Sequence, residues 1–197
     1  MADSAPATIR EVGEPHDFGP GTLVDVFLSG VRVNPDRRAF TIRQPDGQWR
    51  SWTAAQVADR VRHISSALAS RGLSSGDHVA ILSGTRMEWA LADWACIMSG
   101  LVVVTVYPTL PADQILYILR DAGVRAIFVE DGDQLAKVLQ VHDEVETLGS
   151  VFVFDPSTAA RGREHDGLTV ESLADVETTG RSVAPRSAEW EERAAQA

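Results

Sequence analysis

The sequence predicts an α/β fold, a mostly parallel sheet flanked by helices with a β-hairpin near its N-terminus. Two observations predict it. From His78 onward, short apolar runs rich in β-branched residues alternate with segments of helical periodicity. Continuous apolar runs of this kind belong to strands buried on both faces, and their alternation with helices belongs to parallel sheets. Before them, two extended segments flank Pro45-Asp46-Gly47, a turn signal.

The elements follow in order. Residues 1–20 have no apolar stretch and read as a loose arm, not a signal peptide. Thr22 is placed to cap a helix whose Leu23, Val26, Phe27 and Val31 share one side. Asn34-Pro35-Asp36 ends it, because a residue before proline avoids the helical region. Ala39 to Arg43 and Trp49 to Trp52 make the hairpin. Thr53 and Gln56 fit a capping box. The helix behind it repeats Val57, Val61, Ile64 and Leu68, and Gly72 closes it.

Then come a strand at His78–Ser83, a helix at Arg86–Ser99, a strand at Leu101–Val106 and a helix at Pro111–Ala122 that points Ile115, Ile118 and Leu119 inward. A strand at Ala126–Val129, a helix at Gln134–Glu144 and a strand at Val151–Phe154 complete the alternation. Trp89 to Tyr107 is as long and almost as apolar as a membrane span. Asp93 interrupts it, and Ser99-Gly100 divides it into a helical half and a β-branched half. After Asp155 the pattern fades. One short helix is expected at Val170–Val176 and no further strand, so 156–197 reads as an irregular or partly disordered tail behind a domain spanning 21–155.

The chain has 197 residues, 44% hydrophobic and 23% charged, with a formal net charge of -10. No basic face for nucleic acid is visible, and the acidity speaks to solubility, not fold. Lys137 is the only lysine and Cys96 the only cysteine, so a disulfide framework is excluded and a reducing compartment favoured. His16, His63, His78, His142 and His165 have no close ligand spacing. Cys96, among Trp94, Ala95, Ile97 and Met98, reads as packing. The five tryptophans lack the basic interleaving of a nucleic-acid platform. No serine lies in a nucleophile elbow.

In open parallel sheets, ligands bind beyond the carboxyl ends of the strands. Three such ends stand out. Ser83-Gly84-Thr85 offers backbone N–H groups to an anion or else simply starts a helix, and it lacks the glycine spacing and lysine of a P-loop. Tyr107-Pro108-Thr109 offers hydroxyl groups or is only a proline-shaped loop. Glu130-Asp131-Gly132-Asp133 offers three carboxylates, which suit solvation and a helix dipole better than a metal.

The residues from Gly76 to Asp131 carry a resemblance. They run Gly76-Asp77-His78-Val79-Ala80-Ile81-Leu82, Glu88-Trp89, Ser99-Gly100-Leu101-Val102-Val103-Val104, Tyr107-Pro108-Thr109-Leu110 and Val124-Arg125-Ala126-Ile127-Phe128-Val129. Ser51-Trp52-Thr53 and Arg71-Gly72-Leu73 agree with it. In order and spacing they resemble the N-terminal region of long-chain fatty acid–CoA ligases, in the adenylate-forming, AMP-binding superfamily. The match runs from about Thr22 to Asp155, and Tyr107-Pro108-Thr109-Leu110 looks like the long-chain branch.

The resemblance implies a two-step reaction in the complete enzyme. ATP and a fatty acid give an acyl-adenylate and pyrophosphate, with Mg²⁺; the CoA thiol then displaces AMP. It also implies that the loop Tyr107, Pro108, Thr109 lines a CoA tunnel. The Glu130–Asp133 loop, which in the family lies nearer the CoA nucleotide, is acidic here and does not suit a phosphate-bearing ligand, so only the first loop is carried over. No Pro-Lys-Gly phosphate loop follows in this chain, and Lys137 matches neither lysine motif of the family. The expectation is therefore an incomplete AMP-binding domain, without cofactors or activity of its own, that is cytoplasmic or peripheral to a membrane. Its partners would be the remainder of a synthetase, or other copies through an uncovered sheet edge or face. The competing readings are a non-catalytic remnant serving as an interaction module, and an unrelated nucleotide-binding α/β domain.

Overall fold

The computed structural model describes residues 21–44, 46–159 and 167–196. The expected arm at 1–20, Pro45, His16 and His165 lie outside them. The element order is α1 (Leu23–Val33), β1 (Arg38–Arg43), β2 (Trp49–Thr53), α2 (Ala54–Ser70), β3 (His78–Leu82), α3 (Met87–Ile97), β4 (Val102–Val106) and α4 (Ala112–Asp121). There follow β5 (Ala126–Val129), α5 (Gly132–Val141), a 3-10 turn at His142–Glu144, β6 (Ser150–Val153), α6 (Pro156–Ala159), β7 (Thr169–Ser172), α7 (Leu173–Val183) and α8 (Ser187–Ala194).

β1 and β2 pair antiparallel as the hairpin. The other five strands form one parallel sheet in the order β4-β3-β5-β6-β7. Successive side chains of a strand point to opposite faces, and both faces are covered. Val79, Ile81, Phe128 and Phe152 pack under α2, α3 and α7, through Ile64, Leu68, Leu91 and Val176. Ala80, Leu82, Ile127 and Val151 pack under α4 and α5, through Ile115, Leu119, Leu135 and Val138. Phe128 lies 5.0 Å from Phe152 and 5.9 Å from Phe154, ring to ring.

Local chemistry explains the ends. Thr22 and Asp25 form a capping box on α1, and Thr53 and Gln56 form the expected one on α2. Gly72 and Gly123 turn the chain after α2 and α4 with φ of 80° and 59°, a region that side chains with a Cβ avoid. The Trp89–Tyr107 stretch is a helix followed by a strand, as its composition implies, but the expected burial of the strand is not met: Val102 and Thr105 are exposed on this edge strand. Among the described residues no helix is long and apolar enough to cross a membrane.

Two expectations are corrected. The buried side of α1 is Val24 and Leu28, with Phe27 packed beside them, whereas Leu23 is 60% exposed. Both sets have helical spacing; the tilted contact of Phe27 with Trp94 of α3, centroids 4.7 Å apart, selects the observed face. The second correction concerns the tail. Residues 169–172 are a parallel strand, and 173–183 and 187–194 are helices. β7 is a short edge strand that alternates polar Thr169 and Glu171 with buried Val170 and Ser172, so it shows no apolar run. Arg71 of α2 reaches across to Glu171, with Nε and Nη2 donating at 2.6 and 2.7 Å.

β4 is the other edge strand. It pairs with β3 on one side and with no strand on the other among the described residues. Val102 is 43% exposed there.

Candidate functional site

The parallel strands end together, so the loops after β3, β4 and β5 meet on one rim. From β3 the chain crosses to β4 on one side; from β5 onward it proceeds to the other side. The strand order reverses between β3 and β5, where doubly wound sheets place their ligands. Here that crevice is bridged by the protein itself. Oε2 of Glu130, directly after β5, accepts the Gly84 N–H at 2.7 Å and the Ser83 hydroxyl at 3.3 Å. The backbone donors read as a potential anion site thus hold an internal carboxylate.

Arg86 stands beside this bridge. Its Nη1 lies 3.6 Å from Glu130 Oε1, its Nε donates to Glu88 at 2.7 Å, and its guanidinium sits 5.7 Å from the centre of the Phe154 ring. Burial acts to raise the Glu88 carboxyl, but the Arg86 hydrogen bond and a backbone N–H hold it below the usual range. A second acid of the third loop is also engaged. Asp131 caps α5, accepting from the N–H groups of Asp133 and Gln134, each at 3.1 Å. The described residues contain no cluster of His, Cys, Asp and Glu with the geometry of a metal site.

The open space lies one strand over, beyond the carboxyl ends of β3 and β4. A cleft of about 450 Å³ runs between Ser83-Gly84-Thr85 and the Thr105–Thr109 segment, with Trp89 of α3 as a further wall. The structure therefore brings Tyr107, Pro108 and Thr109 together with the first of the three loops, and leaves Asp131 and Asp133 outside. Tyr107 is 77% exposed at the mouth. Among the described residues no charged side chain lines the cleft; its lining includes the hydroxyl-bearing residues Ser83, Thr85, Thr105, Tyr107 and Thr109 beside Trp89. Such a surface offers hydrogen bonds to neutral polar atoms and apolar contact to a chain, and it offers no cation to a phosphate.

Two contributors escaped sequence reasoning. Trp89, a landmark of the resemblance, also walls the cleft. Lys137, the only lysine, donates to the carbonyls of Pro108 at 2.6 Å and Leu110 at 3.1 Å, and to Gln134 Oε1 at 3.1 Å. Its position five residues into a helix that follows the adjoining strand was the available signal. Cys96 is fully buried on α3, and burial, with Asp93 nearby, pushes its thiol far up, so it stays protonated.

The fold and the rim define the class: a doubly wound α/β domain whose free cleft lies beside β4. The model of the AMP-binding enzyme family matches residues 27–191, and the chain belongs to that family. It is 32% identical over 146 residues to the long-chain-fatty-acid–CoA ligase FadD15 of Mycobacterium bovis, covering 73% of this chain and 24% of that protein. It is 31% identical over 167 residues to long-chain-fatty-acid–CoA ligase 1 of Cavia porcellus, covering 82% of this chain and 24% of that protein. The chain thus spans about a quarter of the length of these relatives. Among solved structures, the adenylation domain of a carboxylate reductase from Mycobacterium chelonae superposes with a TM-score of 0.72 at 20% identity, over 88% of this chain and 31% of that one. A putative long-chain-fatty-acid CoA ligase from Rhodopseudomonas palustris superposes with a TM-score of 0.64 at 24% identity, over 79% and 36%. These likenesses establish the fold.

Proposed function

We propose that this chain supplies the CoA-facing part of a long-chain fatty acid–CoA ligase, in which fatty acid, ATP and CoA give acyl-CoA, AMP and pyrophosphate. The observation that carries the reading is the uncharged cleft between Ser83-Gly84-Thr85 and Tyr107-Pro108-Thr109. The pantetheine arm of CoA is a neutral chain with two amides and a terminal thiol. Hydroxyls of Ser83, Thr85 and Thr109 suit the amides, and Trp89 suits the methylenes. The relatives' names as CoA ligases point the same way.

The same reading leaves adenylation to other residues. That step develops charge on the α-phosphate and on departing pyrophosphate, which needs aimed cations and donors. The only lysine is spent on backbone carbonyls, and the sequence contains no Pro-Lys-Gly run. The Glu130–Asp133 loop does not fit Mg²⁺, because Glu130 holds Gly84 and Asp131 holds α5. ATP and Mg²⁺ accordingly belong to the complete reaction and not to this chain alone. A reducing, cytoplasmic location completes the picture.

Titrating the chain with CoA and with pantetheine while following tryptophan fluorescence tests the ligand. Saturable binding of both is expected; no response to either at millimolar concentration would sink it. Pyrophosphate release that depends on ATP, oleate and CoA would overturn the assignment of adenylation elsewhere.

A second reading, a non-catalytic interaction module, is favoured by β4. Its five residues Val-Val-Val-Thr-Val are uncharged, and an edge strand without charge, proline or bulge invites pairing. Under this reading the partner is another copy or the remainder of a synthetase. Sedimentation that shows a monomer across the micromolar range would remove self-association.

A further inference from the structure

The β5–α5 segment reaches both walls of the cleft from behind. At its start, Glu130 holds one wall through the Gly84 N–H and the Ser83 hydroxyl. Two turns later, Lys137 holds the other through the Pro108 and Leu110 carbonyls. The two grips project from one rigid unit. Asp131 fixes the first turn of α5, and buried Leu135 and Val138 seat the helix on the sheet.

The energetics favour a purposeful contact over a surface lysine. A solvated ammonium costs nothing, whereas ordering a lysine side chain costs rotamer freedom. Here three protein oxygens surround Nζ within hydrogen-bond distance, and two belong to loop carbonyls beyond the strand ladder. Hydrogen bonds from a charged donor are stronger than neutral ones. Between the two carbonyls, the loop also closes on itself, with the Leu110 N–H donating to the Tyr107 carbonyl at 3.1 Å.

We propose that Glu130 and Lys137 act as a pair of positioning residues that set the width of the cleft, one wall each, and thereby its affinity for ligand without touching the ligand. The affinity part rests on the reading of the cleft as the pantetheine site. Preorganised walls lower the ordering cost of binding, so loosening either one weakens it.

The test uses the full chain carrying Lys137→Met, Glu130→Ala or Glu130→Gln. Site-resolved amide hydrogen exchange, CoA titration calorimetry and thermal melting are measured for each. Lys137→Met is expected to speed exchange at Leu110 and leave Gly84 unchanged. Glu130→Ala does the reverse, and Glu130→Gln, which keeps an acceptor, restores Gly84 protection. Each loosening variant binds CoA about tenfold more weakly, while the melting temperature stays close to wild type. Unchanged exchange at both amides overturns the inference, as does faster exchange throughout the domain with a lowered melting temperature. If the wild type binds CoA and both loosening variants bind it equally well, the width claim fails while the ligand stands. If the exchange pattern appears but the wild type binds no CoA, the wall contacts stand and the proposed ligand fails.

Discussion

Gly180 of α7 lies directly against the backbone carbonyl of His63 in α2, so close that a Cβ at position 180 would overlap that oxygen. The missing side chain lets the two helices approach to backbone contact. Gly180→Ala must push them apart, at a cost of about 3 kcal/mol, the upper end for overpacking. Urea unfolding of the variant should show a lowered midpoint. An unchanged midpoint would mean that α7 does not pack on α2 in this way.

His63 at the same contact makes stability depend on pH. Its Nδ1 is buried without a hydrogen-bond partner among the described residues. Burial first, then Arg62 of α2 and Arg181 of α7, hold the imidazole below its ordinary value of 6.5, while Asp59 and Glu177 oppose weakly. The unfolded chain therefore takes up a proton as pH falls through 6.5, and the folded chain does so only lower. Stability from this group is complete above pH 6.5 and declines below it. His63→Gln should flatten the urea midpoint between pH 7 and 5; a wild-type midpoint constant across that range would contradict the argument.

Asp93 behaves oppositely. It sits half-buried on α3 with no cation beside it among the described residues, and burial raises its carboxyl above 3.8. Ionised Asp93 is thus a burden at neutral pH that disappears as pH falls through its raised folded-state value. Asp93→Asn is expected to raise the urea midpoint at pH 7 and to match wild type near pH 3.5. A lower midpoint for the variant at pH 7 would refute this.

Trp190 tests whether the last helix belongs to the fold. It is 5% exposed, and its indole N–H donates to Ser65 Oγ at 2.8 Å. Trp190→Ala should cost about 3 kcal/mol, as large core truncations do. Ser65→Ala, which orphans the indole N–H, should cost about 1 kcal/mol. If both variants melt like wild type, α8 is not docked.

The central alternation was legible because its signals are local and redundant. Val79–Leu82 and Ala126–Val129 are apolar on both faces, and Thr53 with Gln56 marks a helix start within four residues. The tail was not legible because its signals are relational. Glu171 reads as solvent-exposed until Arg71 is placed opposite, and Gly180 reads as a helix breaker until His63 is seen beneath it. The site divides the same way. Tyr107, Pro108 and Thr109 stand out by their place after a strand, and the family resemblance alone puts them beside a CoA tunnel. Glu130 and Lys137 were not given their roles, because their partners lie 46 and 29 positions away in the chain.

The claim at the centre is that the cleft beside β4 receives the pantetheine arm of CoA. Amide and indole chemical-shift mapping during CoA titration tests it most directly. Shifts at Gly84, Thr85, Tyr107, Thr109 and the Trp89 indole, with Tyr117 on the far side of α4 unmoved, are the predicted result. Saturating shifts confined to residues away from the cleft, or none at all, would contradict it.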